Sequence, residues 1–147
     1  NIVGGDGDIS KTQLLDIIND YKLKGKVNYL GKKYGLVKDE VFLSNDIFVF
    51  PTFYENECFP LVNLEAMRSK LPIISTNEGG IVDMIEDGIT GLFVKKKDAK
   101  DLSDKLLTLI NNPQLCNEMG EAGRRKFIKE FTLPVFEERL LEILRSI

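Results

Sequence analysis

Residues 47–50, Ile-Phe-Val-Phe, and residues 72–75, Pro-Ile-Ile-Ser, are apolar almost without a break and too short to be helices. Successive side chains of a strand point to opposite sides. A strand that is apolar at consecutive positions therefore shows both faces to nonpolar surroundings. Such strands belong in parallel sheets covered by helices on both faces. The first two thirds of the chain alternates in that way. Residues 2–3, 27–30, 47–50, 72–75 and 92–94 read as strands. Between them a helix capped by Ser10 carries Leu14, Leu15, Ile17, Ile18 and Tyr21 and ends near Gly25, and further helices fall at 36–43, 61–68 and 81–85. The pattern predicts an α/β fold, a Rossmann-like parallel sheet with helices on both faces. From Asp98 onward the reading is helical. One helix carries Leu102, Leu106, Leu109 and Ile110 and stops at Asn111-Asn112-Pro113; a second runs through Met119 to Ile128; a third starts about Leu133 with Phe136, Leu140, Ile143, Leu144 and Ile147 on one stripe. At 147 residues the chain is read as a single domain over 1–147, its C-terminal part from about 98 to 147 helical.

Several function classes drop out on residue content. Net charge is −3, and the one basic run, Lys95-Lys96-Lys97, reads as a solvated loop, so nucleic acid is not an expected partner. No apolar run reaches membrane-spanning length. With no histidine, imidazole metal sites and Ser-His or Cys-His nucleophile systems are excluded within these residues. Cys58 and Cys116 have neither pair nor metal spacing, which points to a reduced, cytoplasmic protein. The chain opens without methionine on an apolar strand, and the expectation is that the N-terminal part of a larger protein is missing.

The glycines offer weak motifs. Gly5-Asp6-Gly7 begins a G-x-G-x-x-G fingerprint, but Ser10 stands where the third glycine belongs, which favours a tight turn. Asp6 and Asp8 fail the EF-hand pattern, with Lys11 and Ile17 at its glycine and glutamate positions, and are read as assisting the turn and the helix start. Gly79-Gly80 before a short helix fits a phosphate cradle, a close backbone approach, or a simple turn equally well.

The segment "ENECFPLVNLEAM", residues 55–67, carries more. Pro60 suits the first position of a helix. The N–H groups at Leu61 and Val62 then stand just beyond the C-terminal end of the strand at 47–50, the edge where open parallel sheets bind ligands and helix N-termini attract phosphate. Glu65 lies about one turn further in. An ionised carboxylate only accepts hydrogen bonds and can take two at once, which matches a ribose diol. Glu57 lies on the loop side, facing whatever extends beyond the phosphates. The plain alternative, a half-exposed helix residue at 65 and a loop surface charge at 57, stands beside this reading.

"ECFPLVNLEAM" followed by "LPIISTNEGGIVDMIEDGITGLFV" resembles the carboxy-terminal half of the family 4 retaining glycosyltransferases, GT-B enzymes whose active site lies between two Rossmann-like domains. The matching positions are Glu57, Glu65-Ala66-Met67, Pro72, Gly79-Gly80, Asp87-Gly88 and 91–94; upstream, "IVGGDGD", "VNYLG" and "NDIFVFPTFYE" match in order. The resemblance covers about residues 2–95 well and the tail only by its helical pattern. It implies a donor (nucleotide-sugar) binding domain that serves hexose transfer to a glycan or lipid-linked acceptor, in the synthesis of a bacterial surface polysaccharide or glycolipid. It further implies a UDP- or GDP-sugar donor, no cofactor or bound metal, and work in the cytosol or at the inner membrane face. Carried over by position, Glu65 would bind the donor ribose. The backbone around Cys58, Phe59, Pro60, Leu61 and Val62 would hold the diphosphate and part of the sugar. Glu57 would be the catalytic candidate near the anomeric carbon, and Tyr34 would border the nucleobase.

There are departures from the family pattern. The first strand–helix unit of such a domain, with its Arg and Lys, is absent, and Ser69-Lys70 replaces the glycine that often precedes Leu-Pro. The amino-terminal GT-B domain is the implied partner, so this chain alone is expected to be inactive. The rival readings are a GT-B sugar-nucleotide epimerase, a glycan phosphorylase, and a non-catalytic nucleotide-binding Rossmann-like domain. With the central first strand of a 3-2-1-4-5-6 order missing, the remaining strands are expected to close up into one five-stranded sheet, the Ile2 strand beside the Ile47 strand.

Overall fold

The computed structural model describes residues 1–147. The chain divides into two compact units, Asn1–Val41 and Phe42–Ile147. In the first, β1 (Ile2–Val3) leads to α1 (Lys11–Asp20) and β2 (Tyr29–Gly31), and β1 and β2 pair in parallel. Ser10 caps α1 through a full capping box. Its hydroxyl accepts the Gln13 N–H at 3.3 Å, and the Gln13 side chain accepts the Ser10 N–H at 2.8 Å. Asp6 does assist the helix start, its Oδ1 accepting the Lys11 N–H at 3.0 Å. The helix ends well before Gly25 because Lys22 turns left-handed at φ 55°. The predicted strand at 27–30 is displaced to Tyr29–Gly31, because 23–27 is taken up by a turn in which the N–H groups of Lys26 and Val27 both donate to the Leu23 carbonyl. The boundary between the units falls inside α2 (Gly35–Leu43).

The second unit holds a three-stranded parallel sheet in the order β3 (Phe48–Phe50), β4 (Ile73–Ser75), β5 (Gly91–Phe93). Its connections are helical: α3 (Leu61–Arg68) joins β3 to β4 and α4 (Ile81–Met84) joins β4 to β5. Beyond β5 come α5 (Ala99–Ile110), α6 (Pro113–Glu130) and α7 (Leu133–Arg145). Asp98 caps α5 by accepting the Asp101 N–H at 2.9 Å, and Asn112 caps α6 by accepting the Leu115 N–H at 3.1 Å. No helix is long and apolar enough to cross a membrane.

The strands alternate between two cores. Phe48, Phe50, Ile73 and Phe93 face Ala66 and Met67 of α3 and Ile81 and Met84 of α4. Ile47, Val49, Ile74, Leu92 and Val94 face Leu102, Leu106 and Leu109 of α5 and Leu115 and Met119 of α6. The sheet is therefore covered on both faces, as the unbroken apolar runs require. Cys116 packs at the edge of the second core; burial first, and Asp46 second, push its thiol pKa up, which keeps it protonated and a poor nucleophile at neutral pH.

The expected five-stranded sheet does not form. β1 pairs only with β2, and β3 only with β4, in two separate sheets. The expectation rested on the cost of leaving buried ladders unpaired. Here the edge in question is two residues long, and Ile2 and Val3 are 37% and 41% exposed, so water can satisfy their backbone groups.

Ile74 is fully buried at the centre of the sheet. Ile74→Ala is expected to cost about 2–5 kcal/mol of unfolding free energy, read from urea denaturation; a smaller loss would show that the second core collapses around the cavity.

Candidate functional site

Because β3, β4 and β5 are parallel, the loops that follow them leave from one edge of the sheet. The first runs from Pro51 to Pro60 and is tied down at its start. The Ser75 hydroxyl donates to the Phe50 carbonyl and the Thr76 hydroxyl to the Thr52 carbonyl, each at 2.6 Å. Within the loop the Glu57 N–H donates to the Tyr54 carbonyl at 3.0 Å. The Cys58 thiol, exposed, lies 3.5 Å from the Asn56 carbonyl.

The far end of this loop rests on Gly79-Gly80. The Gly80 N–H donates to the Cys58 carbonyl at 2.7 Å. Gly79 is left-handed at φ 47°, and a Cβ there would fall on the Glu57 carbonyl oxygen. A Cβ on Gly80 would meet the Cys58 carbonyl and come within 2.9 Å of the Phe59 ring. Close backbone approach, one of the three readings of the glycine pair, is therefore present: the pair lets the β4–α4 loop press against the segment that carries Glu57. Phe59 is held from the other side by Phe131, ring centroids 6.1 Å apart.

Pro60 is the N-cap of α3 rather than its first residue, and no side chain caps this helix. Its first-turn N–H groups, at Leu61 and Val62, have no acceptor further back in the helix, and the positive end of the helix dipole adds to their pull on an anion. Leu61 is exposed and Val62 half-buried. Glu65, one turn on, is half-buried with its Oε2 shielded from solvent. Thus Glu57, Cys58, Phe59, Pro60, Leu61, Val62 and Glu65 lie on one continuous loop-and-helix segment at the C-terminal edge of the sheet. Tyr34 belongs to the first unit, exposed just before α2.

Sequence reasoning missed Glu78 and Asn63 and the contacts made by Lys96 and Lys97. Glu78 is 9% exposed and its carboxylate pairs with the Lys96 ammonium. The Lys97 ammonium lies 4.7 Å from the centre of the Phe53 ring. The basic run is solvated, as read, with all three lysines exposed, while two of its ammonium groups find partners. Asn63, fully buried on the same face of α3 as Ala66 and Met67, finds no protein partner for either end of its amide. The one available signal for Asn63 was a polar residue in an otherwise apolar helix face; none marked Glu78 and Lys96 as partners, eighteen positions apart.

The model of the family described as "Glycosyl transferases group 1" matches residues 1–126. The chain belongs to that family. It is 35% identical over 106 residues to the capsular polysaccharide biosynthesis glycosyltransferase CapM of Staphylococcus aureus, a match that covers 71% of this chain and 27% of CapM. Among solved structures it is similar to sucrose-phosphate synthase from Thermosynechococcus elongatus, with TM-score 0.83 and 25% identity over 98% of this chain and 37% of that one. It is also similar in fold to Anabaena HepE, solved in complex with UDP-glucose, with TM-score 0.85 and 21% identity over 99% of this chain and 40% of that one. The parallel sheets flanked by helices are those of the GT-B glycosyltransferases, and the chain spans well under half of the length of these relatives.

Gly79→Ala is expected to lose more stability than the roughly 1–2 kcal/mol that a left-handed alanine costs by itself. Gly88, left-handed at φ 77° with nothing within 4 Å of where a methyl would stand, is the control, and Gly88→Ala should lose only that amount. Equal losses in chemical denaturation would refute the close approach to Glu57.

Proposed function

We propose that this chain is the nucleotide-sugar-binding domain of a family 4 retaining glycosyltransferase, the carboxy-terminal half of a two-domain GT-B enzyme that transfers a hexose to a glycan or lipid-linked acceptor. The observation that carries the reading is the uncapped N-terminus of α3 at the C-terminal edge of the sheet, with Glu57 just before it and Glu65 one turn inside, in a member of the group 1 glycosyl transferase family. The first-turn N–H groups would take the donor diphosphate, and the Glu65 carboxylate would accept from both ribose hydroxyls. Glu57 would face the sugar ring near its anomeric carbon, where a negative charge favours the positive charge that builds up as the glycosidic bond to phosphate loosens. Tyr34 is assigned to the nucleobase. UDP- or GDP-sugars are the proposed donors, and the UDP-glucose in the HepE structure supports the first. CapM's role in capsular polysaccharide biosynthesis supports a surface-polysaccharide or glycolipid acceptor. Work in the cytosol or at the inner membrane face follows from those substrates.

Acceptor binding and the second wall of the site would come from the other GT-B domain, so the chain alone should bind nucleotide without transferring sugar. Transfer by the purified chain would overturn that division of labour. Glu65→Gln removes the charge that strengthens its hydrogen bonds to the diol. At about 1.5–3 kcal/mol for charge-assisted bonds, nucleotide affinity should fall roughly tenfold or more by calorimetry. Wild-type affinity in Glu65→Gln would sink the ribose assignment.

A further inference from the structure

Two side chains outside the donor contacts meet at the rim of the site. Glu78, in the loop between β4 and α4, is nearly buried, and a buried carboxylate is tolerated only when it is paired. Its partner is the Lys96 ammonium, from the loop that follows β5. Each end of the pair is anchored. On one side the Lys95 N–H donates to Asp101 Oδ2 at 2.8 Å, tying the loop to the first turn of α5, and Lys97 rests against the Phe53 ring. On the other side the Glu78 carbonyl accepts the Ile81 N–H at 3.0 Å, and Gly79 and Gly80 follow directly, lying against the backbone of Glu57 and Cys58.

We infer that the Glu78–Lys96 ion pair is a positioning device for Glu57. It fixes the β4–α4 loop to the β5–α5 loop, so that the Gly79-Gly80 turn holds the Glu57–Cys58 backbone at one place relative to the first turn of α3. The inference rests on the reading of Glu57 as the group beside the donor sugar. The ribose end of the site is held differently, by Glu65 within α3, one turn beyond the segment that the glycine pair touches. The ion pair therefore acts on the Glu57–Cys58 segment beside the donor sugar and the diphosphate next to it, and leaves the ribose contact alone. Lys96 and Glu78 are positioning residues and touch no substrate themselves.

The test uses Lys96→Met, Lys96→Arg and Glu78→Gln in the complete enzyme. Lys96 is half exposed, so Lys96→Met removes no core side chain but leaves the nearly buried Glu78 carboxylate unpaired. Glu78→Gln removes that charge and is the variant whose melting temperature should hold. A displacement of Glu57 on the order of 1 Å should lower kcat roughly ten- to hundredfold. The KM for the donor and the calorimetric affinity for the nucleotide should change far less than kcat, and Lys96→Arg should restore the rate. Unchanged kcat in both Lys96→Met and Glu78→Gln overturns the inference. So does a joint fall in rate, nucleotide affinity and melting temperature in Glu78→Gln, which would mark the pair as a support of the fold at large. If the wild-type enzyme transfers no sugar, the glycosyltransferase reading fails. The positional claim is then decided on the 147-residue chain by hydrogen exchange at the Gly80 amide. Faster exchange in Lys96→Met with other core amides unchanged supports it, and exchange at the wild-type rate overturns it.

Discussion

The second unit is organised by the burial of β4 on both faces. Ile73 is driven into the layer made by α3 and α4, and Ile74 into the layer made by α5 and α6. A strand enclosed in this way must have a hydrogen-bonding neighbour on each side, and the helical connections make those neighbours, β3 and β5, parallel to it. Parallel strands send all their exits to one edge. The loops that carry Glu57, Gly79-Gly80 and Lys96 are brought together by that rule, although their sequences have nothing in common.

At that edge the strand ends supply polar groups where the apolar core stops. Ser75 and Thr76 are fully buried, yet each hydroxyl meets a carbonyl of the neighbouring chain segment at the start of the β3–α3 loop. A buried hydroxyl must find a partner, and these two meet that requirement by fixing the loop. The loop's other end is fixed by shape: two residues without side chains let backbone lie on backbone, and the Gly80 N–H closes the contact. The segment that carries Glu57 is thus held at both ends before any ligand arrives, which is what a preorganised charge needs. The helix that follows offers its first turn uncapped, and a side chain such as the Ser10 hydroxyl, which caps α1, is missing there.

Much of this was legible in the residues. The apolar runs at 47–50 and 72–75 dictate strands covered on both faces, because side chains alternate and each position is nonpolar. The bounds of α3 follow from the pattern around Pro60 and the apolar spacing behind it, and the structure has them at Leu61–Arg68. The two glutamates and the Glu-Ala-Met that follows carried the family resemblance, since spacing along one short segment is preserved in any fold that contains it. What sequence could not decide is which distant groups meet. It left Gly79-Gly80 open among three roles, because the choice depends on where the backbone of residues 57 and 58 passes. It gave no partner for Lys96 of the exposed run Lys95-Lys96-Lys97, because the buried Glu78 that holds it is distant in sequence. It placed the Ile2 strand in a common sheet, because a strand's exposure is set by its surroundings and two residues of apolar sequence do not reveal it. Local hydrogen-bond chemistry and side-chain period belong to the sequence by itself. Contacts between segments and the burial of a given charge are decided only when the whole chain has packed, since both depend on what the rest of the fold places opposite them.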